Sequence, residues 1–323
     1  MKYRAFGRLG WQVSDIGYGM WGMGGWTGSD DAESLAALDR AVELGCNFFD
    51  SALAYGVGHS DRLLGELVRR HPAKRLYTAT KVPPKDLNWP SRRGSRLEDV
   101  FPPDHIERCV HKSLKSSGLE NFDLVQLHVW EDDWTDDERW RRAMEELRSQ
   151  GLIGGIGISL NRWEPWNGVR AVKSGAVDAV QVIYNVFDQA PEDELFPACE
   201  EMGVAVIARV PFDEGSLTGT LRADSTWPAD DWRNTYFVPE NLTATLERVE
   251  RLAPLVPAES TMPEMALRMI LSHPAVATVI PGMRKIRNVE ANIAASDAGP
   301  LAPGLLSRLR EHRWDRQPTA WSQ

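Results

Sequence analysis

Cysteine is scarce in this sequence, and the three present, Cys46, Cys109 and Cys199, are odd in number and far apart. They form no CxxC pair and no metal-ligating spacing with histidine, which argues against a disulfide framework and a zinc site. The seven histidines contain no HExxH pair either. A reducing, cytoplasmic setting with buried free thiols is the simple expectation. No apolar run approaches the length needed to span a bilayer. The opening residues, Met1 to Arg8, lack the apolar segment of a signal peptide. A surplus of positive charge is also missing. The formal net charge of -9 argues against a nucleic-acid partner, which wants a basic stripe, and against an anionic membrane surface.

What is present is an alternation of two periods. Short apolar runs that read as strands occur at 15–19, 47–49, 76–80, 123–127, 153–158, 179–183, 204–208 and 276–280. The runs at 153–158, 179–183, 204–208 and 276–280 are apolar on both faces, as in a parallel sheet covered on both sides. Helical patterns fill the gaps at 31–45, 61–70, 104–117, 137–150, 164–174, 192–202, 263–272 and 286–296. In the first helix Leu35, Leu38, Ala41 and Val42 share a face, Asp30 with Glu33 forms a capping-box pattern, and Gly45 supplies the stop. Eight such units predict an α/β fold: a (β/α)8 TIM barrel with an N-terminal β-hairpin and two extra helices, in one domain over residues 1–323. The hairpin, Tyr3–Phe6 and Trp11–Val13, is expected to plug the barrel bottom. The extra helices are expected at about 239–253 and 303–313. A long Trp-containing insertion spans 213–238; loops of that length are usually functional or disordered.

One motif is a decoy. Gly17-Tyr18-Gly19-Met20-Trp21-Gly22 matches GxGxxG, but the Rossmann reading needs a helix to open at that turn. The chain instead continues as loop through Met23-Gly24-Gly25-Trp26-Thr27-Gly28. The glycines are therefore expected to let this first loop approach a ligand closely.

Four polar residues stand at or just past the ends of strand candidates: Asp50, Tyr55, Lys81 and His128. In a parallel barrel such residues converge on the carboxyl-terminal face, where barrels keep their chemistry. The stretch Phe49-Asp50-Ser51-Ala52-Leu53-Ala54-Tyr55-Gly56, then His59-Ser60-Asp61-Arg62-Leu63-Leu64-Gly65, Thr80-Lys81 and Gln126-Leu127-His128 resemble the signature of the aldo-keto reductases. Later blocks extend the likeness over nearly the whole chain: Gly157-Ile158-Ser159, Gln181-Val182-Ile183-Tyr184-Asn185, Gly215-Ser216-Leu217-Thr218-Gly219 and Ile280-Pro281-Gly282 with Asn292.

The resemblance implies an enzyme that binds NADPH and reversibly reduces a small-molecule carbonyl. Tyr55 is then the acid for reduction. A tyrosine ordinarily titrates near pH 10, and an adjacent ammonium lowers that value. Lys81 is expected to do so, with Asp50 holding Lys81 charged. His128 is expected to donate to the carbonyl oxygen. By the same likeness Ser159 and Gln181 hold the nicotinamide carboxamide, and the loop from Phe212 through Gly215 and Ser216 to Leu217 covers the pyrophosphate. Met283, Arg284, Asn288 and Asn292 line the adenosine end, and Trp21, Asp50, Arg209, Pro211 and Gly282 complete the cofactor-facing set. The cations Arg284, Lys285 and Arg287 favour NADPH over NADH, because arginine pairs bidentately with phosphate. Trp21, Trp89 and Trp130 are expected to wall an apolar substrate pocket beside Tyr55 and His128.

Three positions depart from the family pattern. Many members carry Ser-Asn where this chain has Ser159-Leu160-Asn161, with Asn161 as the substitute for the second contact. Many stack an aromatic residue on the nicotinamide where this chain has Arg209. A frequent basic residue is Gly282 here. Two other readings stand beside the reductase: an NADPH-binding regulatory or redox-sensing barrel with little turnover, and a Schiff-base lyase using Lys81 as nucleophile.

Overall fold

The period-2 strands and period-3.6 helices assemble as their patterns require. The computed structural model describes residues 1–25 and 28–319. Trp26 and Thr27, in the loop after the GxGxxG match, lie outside them. Strands β1 (Tyr3–Phe6) and β2 (Trp11–Ser14) form the antiparallel hairpin. The barrel strands are β3 (Tyr18–Gly19), β4 (Phe48–Asp50), β5 (Tyr77–Val82), β6 (Phe122–Leu127), β7 (Ile153–Ser159), β8 (Ala179–Ile183), β9 (Ala205–Arg209) and β10 (Val276–Val279). They pair in parallel and in sequence order. Parallel bridges from Ile16 to Val279 and from Gly19 to Gly282 join the first strand to the last.

Outside the strands lie α1 (Asp31–Glu43), α2 (His59–Arg70), α3 (Leu97–Val100), α4 (Pro103–Ser117), α5 (Glu138–Ser149), α6 (Val169–Lys173), α7 (Leu195–Met202), α8 (Arg233–Tyr236), α9 (Pro239–Leu252), α10 (Met262–Leu271), α11 (Ile286–Ala298) and α12 (Pro303–Arg310). The Asp30 carboxylate caps α1 by accepting from the Glu33 amide, as its spacing predicts. The two expected extra helices are α9 and α12, and two single-turn helices, α3 and α8, lie outside the eight barrel helices as well. The fifth barrel helix, α6, is much shorter than its pattern. Its expected first turn is lost because Gly168 is non-helical (φ -163°, ψ -6°) and packs against Leu160, where a Cβ would sit 2.6 Å from a side-chain carbon.

Alternation along each strand divides the core into two layers. Outward residues such as Phe49, Val125, Ile156, Val180 and Val206 pack under the helices. Inward residues Phe48, Tyr77, Ala79, Leu124, Ala179, Ala205 and Ile207 fill the lower barrel together with Phe6, Val13, Leu9 and Trp11 from the hairpin. Phe6 stacks on Phe48 and Trp11, and Trp11 stacks on Tyr77, with centroids 5.3–5.4 Å apart. The hairpin therefore closes the barrel bottom. Its turn needs Gly7 (φ 48°), because a Cβ there would lie 2.4 Å from the Gly203 carbonyl oxygen. The insertion at 213–238 is ordered around its own small core, where Trp227 stacks on Phe237 and both join Tyr236 and Trp163.

The plug carries stability as well as closure. Phe6 is fully buried, so Phe6→Ala is expected to cost about 3–5 kcal/mol. Urea unfolding followed by circular dichroism should show a lower midpoint with an unchanged slope.

Candidate active site

The inward positions change character one turn of pleat higher. Above Phe48 stands Asp50, above Ala79 stands Lys81, above Leu124 stands Gln126, above Ala179 stands Gln181, and above Ile207 stands Arg209. Strand parity alone places these polar groups in one layer over the apolar plug.

The Lys81 ammonium sits at the centre. It donates to the Asp50 carboxylate, to the Ser51 carbonyl at 2.8 Å and to the Tyr55 hydroxyl at 3.4 Å. The other Asp50 oxygen accepts from Gln126 Nε2 at 2.9 Å and from Gln181 Nε2 at 3.0 Å. Gln181 Nε2 also donates to Gln126 Oε1 at 3.2 Å. Tyr55 reaches this cluster from the turn that follows β4, closed by its own amide on the Ala52 carbonyl at 2.9 Å. Its ring meets the His128 ring edge-on, with centroids 5.6 Å apart, and Trp89 covers His128 from another side at 4.5 Å. The structure thus brings Asp50, Tyr55, Lys81 and His128 together.

Burial decides the charges. Desolvation opposes the Lys81 ammonium, but Asp50 and Tyr55 outweigh it and hold the amine above its ordinary range. A nucleophilic lysine must be neutral, so this environment argues against the Schiff-base reading. Burial raises the Tyr55 phenol, and the opposing pull of Lys81 does not overcome it. The expected lowering of Tyr55 is therefore not found: desolvation of the phenolate wins over the nearby cation. Burial, then Lys81 and Arg209, push His128 well below its usual range, so its ring is neutral. Its Nδ1 is buried without a partner among the described residues.

Arg209 closes the layer on the far side. Its Nη2 donates to the Leu160 carbonyl at 3.0 Å, and its buried Nε has no partner among the described residues. Burial and the neighbouring Arg162 push its pKa down to about 10. Arg162 pairs with Glu214 at 2.7 Å, and Arg316 from the C-terminal tail pairs with Asp188 and, at 2.7 Å, with Asp213. These contacts fix the loop after β9, where Asp213, Glu214 and Gly215 run through three consecutive positive φ angles.

Several expected contacts are placed differently. Trp130 is fully buried in an edge-to-face cluster with Trp134 and Trp140, so it supports the pocket region from behind and does not wall it. Asn161 spends its amide on Ser91, Glu131 and the Trp130 carbonyl, so it is not available as a carboxamide contact. Ser216 and Leu217 are buried, with the Ser216 hydroxyl on Asp213, and the Gly215 and Leu217 amides donate to the Phe212 carbonyl. Met283 is buried in the outer core, its carbonyl held by the Tyr18 hydroxyl. Gly17 and Gly19 pack against β4 and the Ile280 segment, and Gly22 lies under the Arg284 side chain. These glycines allow protein to approach protein, not ligand. Trp21 and Trp89 do face the mouth, 46% and 39% exposed, and Trp21 meets Trp232 of the insertion edge-on.

The remaining residues fit a dinucleotide. Lys285 opens α11 without a side-chain cap, and Arg284 and Arg287 flank it in sequence, so cations stand next to uncapped first-turn amides. Space is open at Gly282. Asn288 and Asn292 lie one turn apart on that helix. The acidic pair Asp213 and Glu214 is neutralised by Arg316 and Arg162. Sequence reasoning missed Gln126, which shares the parity of Leu124, and the Arg162 and Arg316 pairs, for which no local signal exists.

The model of the Aldo/keto reductase family matches residues 15–313. An uncharacterized oxidoreductase, YqkF, of Bacillus subtilis is 30% identical, with 97% of this chain and 96% of that protein covered. An NADH-specific methylglyoxal reductase of Escherichia coli is 27% identical, with coverage of 91% and 93%. The solved structure of an aldo-keto reductase from Bacillus halodurans in its holo form superposes with a TM-score of 0.78 at 26% identity, covering both chains in full.

The charge assignments give a direct check. An unfolded histidine takes a proton near its ordinary value of about 6.5, whereas folded His128 resists protonation. Below that pH the unfolded chain binds the extra proton, so this residue withdraws stability as pH falls. NMR should show no His128 titration near 6.5, and His128→Asn should flatten the acid side of the stability profile.

Proposed function

The chain belongs to the aldo/keto reductase family and is an NAD(P)H-dependent oxidoreductase, and from that premise we propose that it reduces an aldehyde or ketone reversibly, with NADPH as donor and Tyr55 as proton source. The observation that carries this reading is the Tyr55 hydroxyl on the Lys81 ammonium, with the Tyr55 ring edge-on to that of His128.

A bound reduced nicotinamide supplies a hydride to the carbonyl carbon. Negative charge then gathers on the carbonyl oxygen, which must meet a proton. Tyr55 stays neutral at rest because burial raises its phenol, so the proton is present when a substrate arrives. As it leaves, Lys81 stabilises the phenolate that remains, and Asp50 keeps Lys81 charged. Gln126 and Gln181 hold Asp50 in turn. The neutral His128 donates one hydrogen bond to the carbonyl oxygen and orients it. Trp21 and Trp89 offer exposed apolar faces at the mouth, which suits an apolar or aromatic carbonyl. The cations Arg284, Lys285 and Arg287 before and within the first turn of α11 support NADPH over NADH. The three free, buried thiols support a cytoplasmic setting.

Tyr55→Phe should lower carbonyl reduction by about 100-fold or more while NADPH binding, followed by fluorescence, persists. Full activity in that variant defeats the proposed role. Initial rates with the two reduced nucleotides in parallel test the cofactor preference, with NADPH expected to give the higher kcat/KM. Because neither Tyr55 nor His128 titrates near neutrality in the folded protein, kcat for reduction should be flat between about pH 6.5 and 8; a limb in that window contradicts the assignment.

A further inference from the structure

Of Lys81, Arg162 and Arg209, two have a carboxylate of their own. Lys81 is paired with Asp50 and Arg162 with Glu214. Arg209 has none among the described residues: its one hydrogen bond goes to the neutral carbonyl of Leu160, and its Nε is buried without a partner. The carboxylates that act on it, Glu214 and Asp50, are each paired with another cation. A partly buried guanidinium with no carboxylate of its own is costly to keep, and nothing in the packing of β9 demands one, since the layer below it is filled by Ile207 and Ala205.

The position of this charge is the informative part. Arg209 stands on the inward face at the carboxyl end of β9, in register with Ile183 of β8. It is close enough to Tyr55, Asp50 and His128 to act on each of them electrostatically. On the reading given above, the hydride donor must lie beside the carbonyl that meets Tyr55, and so within the field of Arg209. The reduced nicotinamide ring is neutral and the oxidised ring carries a positive charge. All other groups of the two nucleotides are identical.

We propose that Arg209 sets the redox-state specificity of the site: its unpaired guanidinium disfavours the oxidised cofactor relative to the reduced one, so that the protein takes up NADPH and expels NADP+. The inference rests on the reductase reading and adds to it a direction, since a protein that holds the reduced form more tightly is poised for carbonyl reduction and not for alcohol oxidation.

Dissociation constants for NADPH and NADP+, measured by titration calorimetry on the purified protein without substrate, test this apart from turnover. The wild type should bind NADPH more tightly than NADP+ by about tenfold, the scale of a like-charge contact in a partly screened site. Arg209→Met should bring the ratio towards one, chiefly by tightening NADP+, and Arg209→Lys should restore the preference. Phosphate and adenosine contacts cancel in the ratio, so a merely structural role for Arg209 would weaken both ligands alike. A wild-type ratio at or below one overturns the inference without any variant, and so does an Arg209→Met ratio equal to that of the wild type. In those cases nucleotide binding persists and the reductase reading stands. Binding of neither nucleotide by the wild type removes both.

Discussion

The ion pair between Lys81 and Asp50 is the constraint around which the upper barrel is organised. An ammonium and a carboxylate buried together lose their hydration, and each is tolerable only while the other is present and their remaining hydrogen-bonding capacity is met. Two glutamines and the Ser51 carbonyl meet it. Four strands, β4, β5, β6 and β8, are thereby tied by side chains in addition to their backbone ladders. Tyr55 is the one hydroxyl among the described Lys81 partners, which is why the proposed proton donor falls at that point.

The lower half of the barrel serves the upper. The hairpin aromatics fill the bottom, so an apolar floor lies beneath the polar layer. A wet barrel floor would weaken every electrostatic contact above it, because the attraction of charges scales inversely with the local dielectric. Closure at the base and pKa control at the top are in this sense one property.

The architecture was legible because a buried parallel strand and an amphipathic helix leave different periods in the sequence, and Asp50, Tyr55, Lys81 and His128 could be found because each stands beside a strand end. What was not legible depends on distances that no local pattern records. Gln126 hid inside an apolar run, with only its parity to betray it. Arg316 meets Asp188 across 128 positions and Asp213 across 103. The sign of the Tyr55 shift needed the burial of the phenol, not only the identity of its neighbour. Trp130 follows the third strand of the site as a pocket residue should, yet its ring turns into the core, because Trp134 and Trp140 offer it aromatic edges there.

The contact of Gly22 with Arg284 reaches further than its size. The aliphatic stem of Arg284 lies where a Cβ on Gly22 would be, so the first and last loops of the barrel lean on each other at the seam. Neither can change length alone without unseating the other. The segment between Gly219 and Trp232 meets the first loop at its end, where Trp232 lies against Trp21, and is otherwise gathered about an aromatic cluster that Trp163 joins. Divergence among related barrels should therefore run through that segment, leaving the seam as the part of the rim that descent alters least.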